Sequence, residues 1–332
     1  MTFLYIVIAL VIIFDFINGF HDSANSIATI VSTKVLSPFS AVLLAATFNF
    51  IAFTVFPLRV AATIGKGVID PDIINLSVIG AALVAAITWN LITWWMGLPS
   101  SSSHTLVGGL VGAALASSGP GAVIVSGVLK IVIFIAVAPL LGMMISYIIS
   151  ILVIFISRNH SPSGIDKHFR RMQLLSAAAF SLGHGGNDAQ KSMGIIWVSL
   201  IVMGLASQED KIDIWIVLSC HSAIALGTLF GGWRIVKTMG QRITKLKPFE
   251  GFCAETAGAL TLFGATHFGI PVSTTHTITG SIIGVGATKG ALAVKWGVTT
   301  KIFWAWILTI PISGIFGAII FYIFNWLKLH GV

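Results

Sequence analysis

Hydrophobic positions along this chain form long runs, with neither the alternation of a half-buried strand nor the single stripe of a surface helix. Apolar stretches occupy 39–56, 76–96, 121–156, 213–233 and 302–324. Each is long enough, or nearly so, to cross about 30 Å of hydrocarbon as a helix. Adding the weaker stretches predicts helices over 2–32, 39–56, 76–96, 104–118 and 122–156 in one half. In the other, helices are predicted over 172–206, 213–233, 252–268, 276–292 and 297–326. The result is an all-α polytopic membrane protein of about ten segments. A polar linker, 157–171, separates an N-terminal membrane repeat, 1–156, from a C-terminal one, 172–332.

Polar residues interrupt this background in a repeated order. GLPSSSSHTLVGGLVG from Gly97 aligns with GIPVSTTHTITGSIIG from Gly269 at an offset of 172, with seven of sixteen positions identical. Upstream of each lies an aspartate motif, GFHDSANS around Asp22 and GGNDAQKS around Asp188, at an offset of 166. Helix 2–32 is expected to break near Asn18–Asn25, and helix 172–206 at Gly183–Asp188. Each Gly-Pro-Ser pair should act as a hairpin, spanning or re-entrant, that returns to its starting side. Each half then makes an odd number of crossings and the second sits upside down relative to the first, an inverted-topology repeat.

Composition closes off soluble classes: 56% of residues are hydrophobic and 9% charged, with a mean hydropathy of +0.97. The net charge of +8 reads as a topology signal and not as nucleic-acid binding. With Arg158, Lys167, Arg170 and Arg171 of the linker placed in the cytoplasm, thirteen basic residues fall inside and four outside; Lys130 and Lys191 remain within the membrane. The Asp70-Pro71-Asp72 loop is then extracellular. The first apolar stretch has neither a basic n-region nor a small-residue cleavage site, so a removable signal peptide is not expected. Cys220 and Cys253 read as packing residues. Trp94, Trp95, Trp304 and Trp326 suit interface anchors.

The chemistry sits in the motifs. Pro99 cannot continue a helix, and a helix starting after the Ser100–Ser103 run presents free N–H groups and a positive dipole end, a setting for an oxyanion. Ser273-Thr274-Thr275 repeats the device. Asp22 and Asp188 are membrane carboxylates at equivalent places, which is the pattern of a functional site. Two carboxylates cannot face an anion unaided, so a cation or proton must lie between, as symport requires. Lys191 stands where the first motif has Asn25, an ammonium fixed where a bound cation would otherwise be needed. His21, His104, His184 and His276 could relay protons, and Glu255 is a further membrane acid. No metal-ligand spacing is present and no metal site or cofactor is expected. Asp15 and Asn49 are assigned to helix-packing hydrogen bonds.

NGFHDSANSIAT, LGHGGNDAQKSMG, GLPSSSSHT and GIPVSTTHT together resemble the duplicated signatures of the inorganic phosphate transporter (PiT) family, in order and over essentially the whole chain. The resemblance implies a secondary phosphate symporter with inverted repeats, a homodimer in the plasma membrane. It places substrate contacts at Asp22, Asn25, Ser102, Ser103, Asn187, Asp188, Thr274 and Thr275; Lys191, a departure from the family pattern, joins the substrate set by its own charge. Coupling to H+ or Na+ falls to Asp22, Asp188, Glu255, His104 and His276, and a divalent metal could travel with the phosphate. Lys191, where sodium-coupled relatives carry Asn, points to proton coupling.

The expected function is therefore proton-driven phosphate import, not enzymatic. Alternatives are a sulfate permease of the same fold, a sodium-coupled symporter, a passive anion channel and, from another class, a membrane-embedded metal-dependent hydrolase. Membrane lipid is the surrounding partner. The basic segments 157–171 and 234–247 fit topology determinants or a docking place for anionic lipid or a cytosolic regulator.

Overall fold

The computed structural model describes residues 1–69 and 74–329, so the Asp70-Pro71-Asp72 loop lies outside the described residues. Twelve α-helices follow in chain order among them. The first six are α1 (Thr2–Ser32), α2 (Pro38–Ile51), α3 (Arg59–Gly67), α4 (Leu76–Met96), α5 (Ser102–Ser118) and α6 (Val125–Ser157). The second six are α7 (Pro162–Val202), α8 (Ile214–Phe230), α9 (Trp233–Gln241), α10 (Pro248–His267), α11 (Thr274–Ala287) and α12 (Trp296–Leu329). No strand occurs among the described residues, only an isolated bridge between Ile69 and Val123.

Local signals set the helix starts. Ser37 accepts from the Ser40 N–H ahead of Pro38, Asn75 from Ser77 and Val78, and Ser161 from Gly164 ahead of Pro162. Ser101 and Ser273 cap α5 and α11 in the same way, each accepting from the histidine N–H three residues on. The Gly-Pro-Ser stretches do form hairpins: α4 turns into α5 and α10 into α11, each through a glycine at φ +67°, Gly97 and Gly269.

The aspartate motifs do not break their helices. α1 runs unbroken through Asn18–Asn25 and α7 through Gly183–Asp188. Their glycines serve close packing instead: a Cβ at Gly19 would lie 2.1 Å from the carbonyl oxygen of Ile224, and one at Gly185 2.4 Å from that of Asn49. The breaks fall one element later. α2 with its 3₁₀ extension to Thr54 meets α3 at 84°, and α8 meets α9 at 74°. By length and apolarity four described helices can cross a membrane (Thr2–Ser32, Leu76–Met96, Val125–Ser157 and Trp296–Leu327), or up to six spans if each bent pair counts as one. The chain is a multi-pass membrane protein.

The halves interlock. α1 packs on α8 and α9, while α7 packs on α2 and α3; α12 lies along α5, and α6 along α11. One buried cluster joins Val7, Phe14, Ile79, Leu83 and Leu106 to Met193, Ile195 and Ile224, and a second joins Ile27, Ala41 and Val42 to Phe180, Met239, Leu262 and Ile282. Pro139 in α6 and Pro311 in α12 share the offset of 172. Small residues seat these long helices: Cβ atoms built at Gly112 and Gly280 would come within 1.8 Å of the Gly314 oxygen and 2.1 Å of the Pro139 oxygen. In lipid, which is as apolar as leucine, such close contact is the main source of helix association.

Gly112→Ala therefore forces α5 away from α12 and should cost roughly 1–3 kcal/mol, as overpacking does. Gly264→Ala, where nothing lies within 4 Å of the added carbon, should be neutral. Thermal unfolding of both variants in detergent, followed by size-exclusion chromatography, measures the difference.

Candidate functional site

α1 and α7 cross at the centre of the molecule, and the first turns of α5 and α11 meet them there. On α1 the polar residues Asn18, Asp22, Asn25 and Thr29 recur at helical spacing; on α7 His184, Asp188 and Lys191 do the same. All seven are buried. Because the aspartates sit on continuous helices, the backbone supplies no free groups at them. The side chains must be satisfied by neighbours, and they are.

The contacts close into a ring. Asp22 Oδ1 lies 2.6 Å from His21 Nδ1, and its Oδ2 accepts from Ser102 Oγ at 2.8 Å. Ser102, the first residue of α5, is shared with Asn18 Oδ1 at 2.7 Å. Its neighbour Ser103 accepts from Lys191 Nζ at 2.5 Å. That ammonium also donates to Asp188 Oδ1 at 2.5 Å and to the Val272 carbonyl at 2.7 Å, using all three of its protons. Asp188 Oδ2 accepts from Thr274 Oγ1 at 3.1 Å. Asn25 Nδ2 returns the ring to α1, donating to Thr275 Oγ1 at 2.9 Å and Thr274 Oγ1 at 3.3 Å. Each hydroxyl-bearing helix start thus touches both α1 and α7.

The two carboxylates come close. Ligand atoms of Asp22, His184 and Asp188 all lie within 4.8 Å of one another. His184 Nε2 stands 3.2 Å from Asp188 Oδ2 at ion-pair distance but without hydrogen-bond alignment, while its Nδ1 pairs with Asn49 Oδ1 at 3.0 Å. Sequence spacing gave no metal-ligand set. The structure brings together a three-residue group suited to a cation, and no linear motif could reveal it because its members come from two helices.

The remaining residues singled out in the sequence fall around this ring. Asn187 does not join it. Its amide donates to Thr266 Oγ1 at 2.9 Å and to the Ile270 carbonyl at 3.3 Å, so it braces the turn of the second hairpin. His104 and His276 meet edge to face with ring centres 4.7 Å apart, and His276 stacks on Trp306 at 3.8 Å. His104 Nδ1 and His276 Nε2 are buried without a hydrogen-bond partner. Glu255 occupies a separate pocket. It accepts from Thr29 at 2.5 Å, Gln173 at 2.9 Å and Ser176 at 2.5 Å. Thr29 lies seven residues, two turns or about 10 Å, along α1 from Asp22. Asp15 accepts from Ser192, and its Oδ2 is unpartnered.

Asn18, Thr93, Gln173 and Ser176 are not singled out by the sequence, and Ser100 only as part of the serine run. Thr93 and Ser100 stand 3.1 and 3.4 Å from His21 Nε2. The helical stripe from Asn18 to Thr29 was the signal for Asn18; it vanishes if helix 2–32 is read as broken at the motif.

Comparison with known proteins bears on this arrangement. The model of the phosphate transporter family matches residues 18–164 and 155–317. A probable low-affinity inorganic phosphate transporter of Rhizobium meliloti is 54% identical over 95% of this chain and 94% of its own. One of the same description from Bacillus subtilis is 45% identical over 98% and 97%. A solved structure described as the sodium-dependent phosphate transporter superposes with a TM-score of 0.88 at 26% identity, covering 98% of this chain and all of that one.

Removing one member of the buried Asp188–Lys191 pair strands the other. Asp188→Asn should cost about 3–5 kcal/mol of stability. The double change Asp188→Asn/Lys191→Gln removes the orphaned charge and should recover most of it. A thermal-shift series on the two single variants and the double variant reads the coupling. Independent, additive losses would mean the pair does not act as one.

Proposed function

This chain belongs to the phosphate transporter family, and on that premise we propose that it is a symporter importing inorganic phosphate with protons by alternating access. The observation that carries the reading is the ring in which two hydroxyl-bearing helix starts meet one ammonium and two carboxylates. Helix N-termini, Ser102, Ser103, Thr274, Thr275 and Lys191 Nζ all suit an oxyanion. To admit phosphate, Ser103 and Thr274 exchange their present partners for its oxygens, and Lys191 follows Ser103. Asn25 orients the Thr274–Thr275 turn.

Asp22 and Asp188 supply the coupling. Each carboxylate repels an incoming anion until a proton or cation neutralises it, so neither ligand enters well alone. Lys191 already neutralises Asp188, which leaves Asp22 as the carboxylate that needs an incoming positive charge. His21, bonded to Asp22, is placed to hand that charge on. We assign Glu255, His104 and His276 to the same proton traffic. Asp188, held ionised by Lys191, accepts a hydrogen bond from a protonated phosphate oxygen once Thr274 has left it; sulfate, unprotonated near neutral pH, cannot donate one, so the site favours phosphate. The repeats 1–156 and 172–332 are read as inverted copies joined by a cytoplasmic linker, and the protein as a homodimer.

A second reading has an observation of its own. The Asp22–His184–Asp188 cluster suits a cation, and the structural neighbour is described as sodium-dependent. Sodium would then replace the proton, and a divalent metal could enter as part of a metal–phosphate cargo.

Radiolabelled phosphate uptake into proteoliposomes decides between these. A proton gradient alone should drive uptake, a sodium gradient should not, and excess sulfate should not compete. Asp22→Asn should lower uptake by ~100-fold, roughly 2.7 kcal/mol, at normal expression. Sodium-driven uptake selects the second reading. Survival of transport in Asp22→Asn overturns the role given to that carboxylate.

A further inference from the structure

Two short helices in this molecule do the same thing at two places. At the α4–α5 turn, Arg234 of α9 donates to the Trp95 carbonyl at 2.6 Å and Thr238 to the Gly97 carbonyl at 3.0 Å. At the α10–α11 turn, Arg59 of α3 donates to the His267 carbonyl at 2.7 Å and Thr63 to the Gly269 carbonyl at 2.7 Å. Trp95 and Gly97 correspond to His267 and Gly269 at the offset of 172; Arg59 and Thr63 correspond to Arg234 and Thr238 at 175. The contacts reach across the sequence halves: each short helix holds the hairpin of the other half. Arg234 also sits over the Trp94 ring, 5.5 Å from its centre.

These clasps are tied to the central ring at their roots. Backbone N–H groups at the N-cap of α9 and in the first turn of α3 are taken by side chains of the crossing helices. Gly232 N donates to Ser23 Oγ at 2.5 Å, and Val60 N to Gln190 Oε1 at 3.0 Å. Ser23 follows Asp22, and Gln190 precedes Lys191. A shift of either charged residue as the ring exchanges partners therefore moves the base of a short helix. From that same first turn Arg59 and Arg234, and one turn on Thr63 and Thr238, grip the carbonyls four to six residues before Ser273 and Ser101, the caps of the anion-binding turns. The bends of 84° and 74° make α3 and α9 levers on the ends of their parent helices.

We propose that Arg59–Thr63 and Arg234–Thr238 are the two latches of the transport cycle, positioning residues that hold the substrate-binding hairpins shut and release them alternately, one on each face of the membrane. Both are closed in this structure. On the orientation set by basic residues, Arg59–Thr63 is the outer latch and Arg234–Thr238 the inner. The inference rests on alternating access but on neither the identity of the coupling ion nor that of the anion.

The test reads access and not uptake, so failure of proton coupling leaves it standing. Ser100 and Val272 are equivalent residues buried beneath the two turns, 0% and 1% exposed. Ser100→Cys and Val272→Cys are placed separately in a Cys220→Ala/Cys253→Ala background. Each is labelled with a membrane-impermeant maleimide in right-side-out and inside-out vesicles. Arg234→Ala should speed labelling of Ser100→Cys at least tenfold from the inner face alone. Arg59→Ala should do so for Val272→Cys from the outer face alone. Thr238→Val and Thr63→Val, which keep the arginines, should give smaller shifts with the same sidedness, and monodisperse elution checks that each variant is folded. Labelling unchanged in both arginine variants, or raised from both faces at once, overturns the proposal.

Discussion

Everything central to this protein depends on one buried ammonium being fully satisfied. Lys191 is 2% exposed in the middle of an apolar bundle. A charge so placed is tolerated only with a counter-charge and a partner for every proton. Asp188, Ser103 and the Val272 carbonyl meet that demand from three different elements. The requirement fixes where α5 begins relative to α7, and where the α10–α11 turn must lie. Asp188 then draws in Thr274, Thr274 and Thr275 draw in Asn25, and Asn25 sets the rotation of α1 that presents Asp22 to Ser102. The ring is held by polar satisfaction, while the surrounding helices are held by shape.

That division of labour explains how much of the fold was legible in the chain. Apolar runs marked the long helices, and the glycine, proline and serine residues marked the hairpins, because both signals are local. The aspartate motifs misled. A glycine beside a polar residue in a hydrophobic helix looks like a break; here it is where another backbone passes, as Gly19 meets Ile224 and Gly185 meets Asn49. The real bends lie at 55–58 and 231–232. The second carries glycines, but the first reads as ordinary apolar sequence and Pro57. Among site residues, Asp22, Asn25, Ser102, Ser103, Asp188, Lys191, Thr274 and Thr275 do converge. Asn187 sits beside them for another purpose, and the Glu255 pocket is separate. Nothing in one dimension distinguishes a residue that faces the ring from one that braces its frame.

The matched contacts carry a second lesson. Duplication is visible in the sequence, but interlocking is not. Neither half could fold as observed alone, because α1 needs α8 and α9, and α7 needs α2 and α3. Buried clusters that draw on both halves make the pair a single cooperative body, in which displacement of one crossing helix is felt across the whole chain.

The Glu255 pocket breaks the duplication. At the offsets of the two motifs, Glu255, Thr29, Gln173 and Ser176 correspond to Leu83, Ile195, Val7 and Leu10. All four of these belong to, or pack against, the first apolar cluster. A device built from two perfect copies would have mirror-image end states of equal energy and would idle in either direction with equal ease. One carboxylate on one side, facing hydrocarbon on the other, removes that degeneracy. On the alternating-access reading proposed above, the molecule would have a handedness in time as well as in space, its two resting postures differing in energy before any gradient is applied.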